Sequence, residues 1–357
     1  MSLTGNLACL SAAVAASLEG AARIYYGRRF RMPWRSRRIG EYPYHRFIEK
    51  APPPLFFRFR KGFRSPQVNI NRFGTRGPEP GPDRLKDRIL LIGESVFFGA
   101  KLPREKDLWS RRLEARLRGA GYTGWEVLNA GVPGYNAVQY RTWWEGELKA
   151  TRPKILLLEM GANDMTQAYV MGSRWKPGAP WPWEFIMRQE RKSPWWNTFA
   201  AHSCAYFLWR RQKITERRGF ESQDGLFQYE ECLRVVKENG RAILDQARSM
   251  GIRVALISIT SAYDPESLEK PAPQLDAIQG NWRENMSTSG RWLIRMTEKW
   301  LHEFRTEVNC PGIDLMKAFW DHPDRYQLFL DVLHWNRKGH EFGAEVIFNE
   351  IEKLGWW

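Results

Sequence analysis

Three short apolar runs constrain this chain more than any other feature: Ile89-Leu90-Leu91-Ile92, Ile155-Leu156-Leu157-Leu158 and Val254-Ala255-Leu256-Ile257. None alternates apolar with polar residues. Runs of this kind read as strands buried on both faces, the pattern of a parallel sheet flanked by helices. Trp125-Glu126-Val127-Leu128 is a further short strand, and another falls near Ile313 to Leu315. Helical spacing fills the intervals. Trp109, Leu113 and Leu117 recur every four residues, with Gly119 and Gly121 as a stop. Tyr229, Cys232, Leu233, Val236, Ile243, Leu244 and Ala247 follow the same period, ending near Gly251. Helices are also expected around Trp292 to Phe304 and from about Gly339 to Leu354. Strands alternating with helices predict an α/β fold, a three-layer α/β/α sandwich with a central, mostly parallel sheet.

At 357 residues the chain suits one large α/β domain with additions, or two small domains. We divide it into an apolar and basic N-terminal extension (1–39), an irregular lead-in rich in Pro, Arg and Phe (40–87), and a main domain (88–357). Within the last, a Trp-rich insertion at about 165–225 breaks the rhythm. It carries Trp175, Trp181, Trp183, Trp195, Trp196 and Trp209, read either as a cap that shapes a substrate site or as packed structure. Lys and Arg number 55 against 40 Asp and Glu, a net charge of +15 that favours polyanionic contacts. No nucleic-acid-binding motif accompanies it, so nucleic acid is not an expected partner. Leu7 to Leu18 is shorter than the roughly 20 apolar residues of a membrane span. Arg23, Arg28, Arg29, Arg31, Arg35, Arg37 and Arg38 follow it. An apolar helix with a basic flank suits a position at or in an anionic membrane, as an anchor, and a plain helix in a cytoplasmic protein is the alternative. Cys9, Cys204, Cys232 and Cys310 form no C-x-x-C pair, and no H-E-x-x-H helix occurs; free thiols are expected, with no metal and no cofactor.

Four chemically suggestive blocks fall at or near predicted strand ends. In chain order these are Gly93-Glu94-Ser95 with Gly99, Asn129-Ala130-Gly131-Val132-Pro133-Gly134, Gly161-Ala162-Asn163-Asp164, and Asp331-Val332-Leu333-His334. A serine past the end of a central strand is well placed as a nucleophile, because substrate sites open at the carboxyl edge of such sheets. It needs a base near neutral pH, and His334 is the candidate. Asp331, three residues earlier, would orient the ring and stabilise the imidazolium. None of the other histidines (His45, His202, His302, His322, His340) has an acidic residue at that spacing. The last position of Gly93-x-Ser95-x-Phe97 is not glycine, so the α/β-hydrolase nucleophile elbow fits poorly.

The set of blocks resembles the SGNH, or GDSL-type, hydrolase family, over about residues 68–353. The likeness includes a lead-in, Asn71-Arg72-Phe73-Gly74-Thr75-Arg76-Gly77, similar to the one that precedes the serine in many bacterial members. The resemblance implies a flavodoxin-like sheet, a Ser95–His334–Asp331 triad and an oxyanion hole from the N–H groups of Ser95 and Gly134 with the Asn163 amide. It makes Gly134, rather than Gly131, the oxyanion glycine. The implied activity is hydrolysis of an O-acyl ester, O-acetyl by family habit, on a small molecule, carbohydrate or lipid through an acyl-enzyme. The alternatives are an O-acyltransferase acting on a polysaccharide with the same triad, or a non-catalytic basic module binding membrane or anionic glycan. One departure stands out: Glu94 occupies the place of the family's usual aspartate, and its longer side chain bears on the shape of the serine loop.

Overall fold

The computed structural model describes residues 3–30, 44–82, 86–100, 102, 104–180, 205, 228–262 and 289–357. They divide into two compact units, Met1–His45 with Phe185–Phe220, and Arg46–Glu184 with Glu221–Trp357. In the smaller unit, helix α1 spans Leu3–Phe30. Glu19 on this helix accepts a hydrogen bond from Arg23 Nε at 2.7 Å and another from the Ala205 N–H at 3.1 Å.

The larger unit is built on five strands: β3 (Asp87–Gly93), β4 (Trp125–Gly131), β5 (Ile155–Leu158), β6 (Arg253–Ile257) and β7 (Gly312–Ile313). Their order is β4-β3-β5-β6-β7, and every neighbouring pair is parallel. Counted from β3, that is the doubly wound order 2-1-3-4-5. The expected three-layer sandwich is therefore present. Ile89, Leu91, Val127, Ile155, Leu157, Ala255 and Ile257 share one core with Trp109, Leu113 and Leu117 of one helix and Ala344, Ile347 and Ile351 of another. Those helices span Trp109–Gly119 and Arg337–Lys353. The intervening residues Leu90, Ile92, Leu156, Leu158 and Leu256 are equally buried and, by the two-residue period of a strand, face the other helical layer. Helices at Ala137–Gly146, Ala162–Met171, Tyr229–Ser249 and Ser289–Glu307 pack together there.

Three sequence expectations change. The second strand, expected over Trp125–Leu128, continues through Asn129-Ala130-Gly131, and Gly131 pairs with Gly93. The physical reason is close approach: a Cβ on Gly131 would lie 2.3 Å from the Phe98 amide nitrogen. Strand β4 thus runs directly under the turn that carries Ser95. The lead-in is more ordered than its composition suggests, since strands β1 (Ile48–Lys50) and β2 (Phe57–Phe59) form a small antiparallel hairpin. The strand expected near Ile313 to Leu315 stops at Ile313, because Asp314 caps a helix over Leu315–Asp321 by accepting from Lys317 N–H. Trp175 is buried, whereas the remaining tryptophans of the 165–225 segment, and with them the cap reading, lie outside the described residues. Cys232 and Cys310 are free and buried.

Replacing Gly131 by alanine forces a methyl group into the Phe97–Phe98 backbone. Overpacking of this kind costs ~1–3 kcal/mol. A lowered urea midpoint for Gly131→Ala, with an unchanged denaturant slope, is the expected result.

Candidate active site

The carboxyl edge of the sheet brings together blocks that are far apart in the chain. Strand β3 ends at Gly93, Glu94 is the N-cap, and Ser95 opens a single helical turn, α3 (Ser95–Phe98). Ser95 is thus the first residue of a helix rather than its cap. The backbone turns sharply at Gly99, whose φ is 76°.

His334 reaches this turn from the loop before the last helix. Its Nε2 lies 2.9 Å from Ser95 Oγ, and its Nδ1 lies 2.9 Å from both carboxylate oxygens of Asp331. Nδ1–H donating to Asp331 leaves Nε2 with a lone pair for the serine hydroxyl proton, the tautomer that a base needs. Asp331 and His334 sit in one tight loop. Asp331 Oδ1 accepts the backbone N–H groups of Leu333 and His334 at 3.0 and 2.8 Å, and Leu330 N–H donates to His334 O at 2.7 Å. The Ala262 N–H and Ser261 hydroxyl both donate to Val332 O, which fastens the loop to the chain leaving β6. Next to His334, the fully buried Trp335 packs edge-on against Phe97 with ring centroids 5.4 Å apart. That contact joins the base's loop to the serine's turn.

The other two blocks flank the serine. Gly134 takes φ 81°, a left-handed conformation that suits glycine. Among the described residues neither its N–H nor that of Ser95 has an acceptor. Asn163 lies in the first turn of the Ala162–Met171 helix, and one hydrogen of its side-chain amide goes to Tyr135 O at 2.9 Å. Its backbone N–H donates to Glu94 Oε1 at 2.6 Å. Glu94 therefore links the residue before the serine to the helix that presents Asn163.

Beneath these contacts lies a group of three carboxyls, of which the sequence blocks contain Glu94 and Asp164 but not Glu159. Glu159, at the end of β5, accepts the Glu94 N–H at 2.7 Å. Asp164 accepts the Ala137 N–H through both oxygens. All three carboxyls are buried. Burial raises the Glu94 carboxyl well above the ordinary range, with repulsion from Glu159 adding to it. Burial likewise raises Glu159 to about 8 and Asp164 to about 7, in each case against backbone N–H groups that favour the anion. The one available signal was a Glu directly after the apolar run Ile155–Leu158. His340 is a second buried titratable group: burial, then the nearby Arg76 charge, lowers it to about 3, and its Nδ1 accepts from Trp109 N–H. Among the described residues no cluster of His, Cys, Asp and Glu is arranged to hold a metal.

The profile of the GDSL-like lipase/acylhydrolase family matches residues 91–342, and the chain belongs to that family of hydrolytic enzymes. Similar solved structures include the lipase/acylhydrolase from Enterococcus faecalis, 17% identical over 75% of this chain and 96% of that one, with a TM-score of 0.45. The acetyl xylan esterase AlAXEase is 13% identical over 74% and 99%, with a TM-score of 0.45. TesA is 13% identical over 75% and 99%, with a TM-score of 0.43. A search of curated proteins returns no match.

The buried carboxyls give a definite pH dependence of stability. Their folded-state values lie above the unfolded ones near 4, so their contribution is complete below about pH 4 and is lost as pH rises through the folded values of about 7 and 8. His340, depressed in the folded state, acts in the opposite sense, losing stability as pH falls below about 6.5. Above that pH it is neutral in both states. Urea midpoints are therefore expected to fall between about pH 6.5 and 8, with a shallower fall in Glu159→Gln.

Proposed function

We propose that the chain is a serine esterase that cleaves an O-acyl ester through an acyl-enzyme intermediate. The observation that carries this reading is the hydrogen-bonded line from Ser95 Oγ through His334 to Asp331. In the first half-reaction Ser95 Oγ attacks the ester carbonyl as His334 Nε2 takes its proton. Asp331 stabilises the imidazolium that forms. The negative charge on the carbonyl oxygen is received by Ser95 N–H, Gly134 N–H and the remaining amide hydrogen of Asn163. His334 then delivers the proton to the departing alcohol, leaving the acyl group on Ser95. Water enters, gives its proton to His334 and releases the acid, and Ser95 recovers its proton.

The proposed substrate is an O-acyl ester, O-acetyl in the simplest case, on a carbohydrate or lipid. The chain's net charge of +15 supports an acceptor that carries negative charge. Ser95→Ala is expected to reduce p-nitrophenyl acetate turnover to background and to abolish labelling by a fluorophosphonate. Asn163→Ala, by removing one oxyanion donor, lowers kcat ~10²–10³-fold. Equal turnover in wild type and Ser95→Ala would overturn the esterase reading. A screen of acetylated glycans and lipids read by mass spectrometry identifies the acceptor.

We also propose that the N-terminal helix rests on an anionic lipid surface. Among the described residues no helix is long and apolar enough to cross a membrane. What supports surface binding is that Val14, Leu18, Ile24 and Tyr25 are 46–61% exposed on α1, with arginines at 28, 29, 31, 35, 37 and 38 following them. The full chain should sediment with vesicles containing phosphatidylglycerol, not with phosphatidylcholine alone, and should be released by raised salt. Equal binding to both vesicle types would count against the charge argument.

A further inference from the structure

The lead-in Asn71-Arg72-Phe73-Gly74-Thr75-Arg76-Gly77 is a loop held together by its own hydrogen bonds. Asn71 and Thr75 are fully buried. Asn71 Oδ1 accepts the Phe73 N–H at 3.0 Å, the Thr75 N–H at 3.2 Å and the Thr75 hydroxyl at 3.1 Å. Its amide donates to Pro78 O at 3.2 Å, and the Gly74 N–H donates back to Asn71 O at 2.9 Å. The loop is closed on itself by one asparagine. Its last segment is then fixed to the sheet, because the Arg76 N–H donates to Asn129 O at 2.8 Å.

The product of this folding is a single inward-pointing side chain. Arg76 is 1% exposed, which is unusual for an arginine. Its Nη1 donates to Phe98 O at 2.6 Å and to Gly99 O at 2.9 Å, and its Nη2 donates to Gln67 O at 2.9 Å. The guanidinium carbon lies 4.6 Å over the Phe98 ring, whose neighbours include Phe47 and Phe59. Phe98 and Gly99 are the residues at which the Ser95 turn ends. The carbonyl one step earlier, Phe97 O, is held by Trp109 Nε1 and Asn129 Nδ2, each at 2.7 Å. A one-turn helix leaves these last carbonyls without internal partners, and a buried carbonyl left unpaired is costly. Three consecutive carbonyls behind the serine are thus held by side chains from three separate elements.

We propose that Arg76 is a positioning residue for the nucleophile: by gripping Phe98 O and Gly99 O it holds the Ser95 turn in the geometry that aims Oγ at His334. A flat guanidinium that presents several donors at fixed angles spans carbonyls from two segments, which the point charge of a lysine does not reproduce. The proposal rests on the assignment of Ser95 as nucleophile, but it also makes a claim about the turn itself.

The test compares wild type, Arg76→Lys and Thr75→Val, the last keeping the arginine while loosening the loop that presents it. Three quantities are read on the full chain: kcat and KM for p-nitrophenyl acetate, the rate of fluorophosphonate labelling, and amide hydrogen exchange across Ser95–Ala100. Misplacement of a reacting group by about 1 Å costs ~10²-fold. Arg76→Lys should therefore fold, with kcat and labelling lowered ~10–100-fold, KM changed less than about twofold, and faster exchange in the Ser95 turn. A smaller loss of the same pattern is expected in Thr75→Val. A folded Arg76→Lys protein with wild-type kcat and exchange overturns the proposal, as does a change in KM alone. Should Arg76→Lys not fold, Thr75→Val decides: lowered kcat with faster exchange supports the role, and wild-type values of both refute it. If wild type itself neither turns over esters nor labels, the esterase reading fails, while exchange in Ser95–Ala100 still reports whether Arg76 holds the turn.

Discussion

The site depends on how closely two backbones approach at the carboxyl edge of the sheet. Gly93 and Gly131 are paired across β3 and β4, and the Ser95 turn lies directly over Gly131. A side chain at Gly131 would occupy the position of the Phe98 amide, so the turn could not settle there. Because it does, Asn129 on β4 can reach Phe97 O, Trp335 can pack against Phe97, and His334 beside it meets Ser95. The parallel sheet contributes the rest. Its doubly wound order sets the end of β3 beside the end of β5, so the serine block and the Asn163 block emerge on the same edge.

The parts of the fold legible in the sequence were those governed by burial. The centres of β3, β5 and β6 are unbroken apolar runs that suit burial on both faces, and they match the expected residues. The long helices at Tyr229–Ser249 and Arg337–Lys353 were likewise visible from one apolar stripe. Where local chemistry rules, the reading fell short. The helix at Ala137–Gly146 was missed although Asn136 and Gln139 form a capping box and Ala137, Tyr140, Trp143 and Trp144 fall on one buried face. The end of β4 was misplaced because Asn-Ala-Gly looks like a turn in isolation. Pairing with Leu91, Ile92 and Gly93 of β3 makes it strand.

The candidate triad was legible for a different reason: Asp331 and His334 are three residues apart, and the spacing itself implies contact. The supporting network was not. Arg76, Glu159 and Trp335 act over 22, 65 and 75 residues of sequence on Phe98, Glu94 and Thr260. No pattern within a short window can report such partners. Glu94 shows how a local departure is absorbed by distant residues. Its carboxylate reaches the Asn163 backbone, its own N–H is held by Glu159, and Ser95 Oγ still stands 2.9 Å from His334.

The placement of Asp331 and His334 on one fastened loop has a consequence for how this centre tolerates change. Three side chains taken from three elements would need three mutual alignments. Here Asp331 and His334 form one hydrogen-bonded piece, and the Ser95 turn forms the other. The Ala262 N–H and Ser261 hydroxyl on Val332 O tie both residues to the sheet through a single carbonyl. Two contacts keep the pieces in register, Nε2 on Oγ and Trp335 packed on Phe97. Substitutions that spare Asp331, His334 and Trp335 leave that join in place.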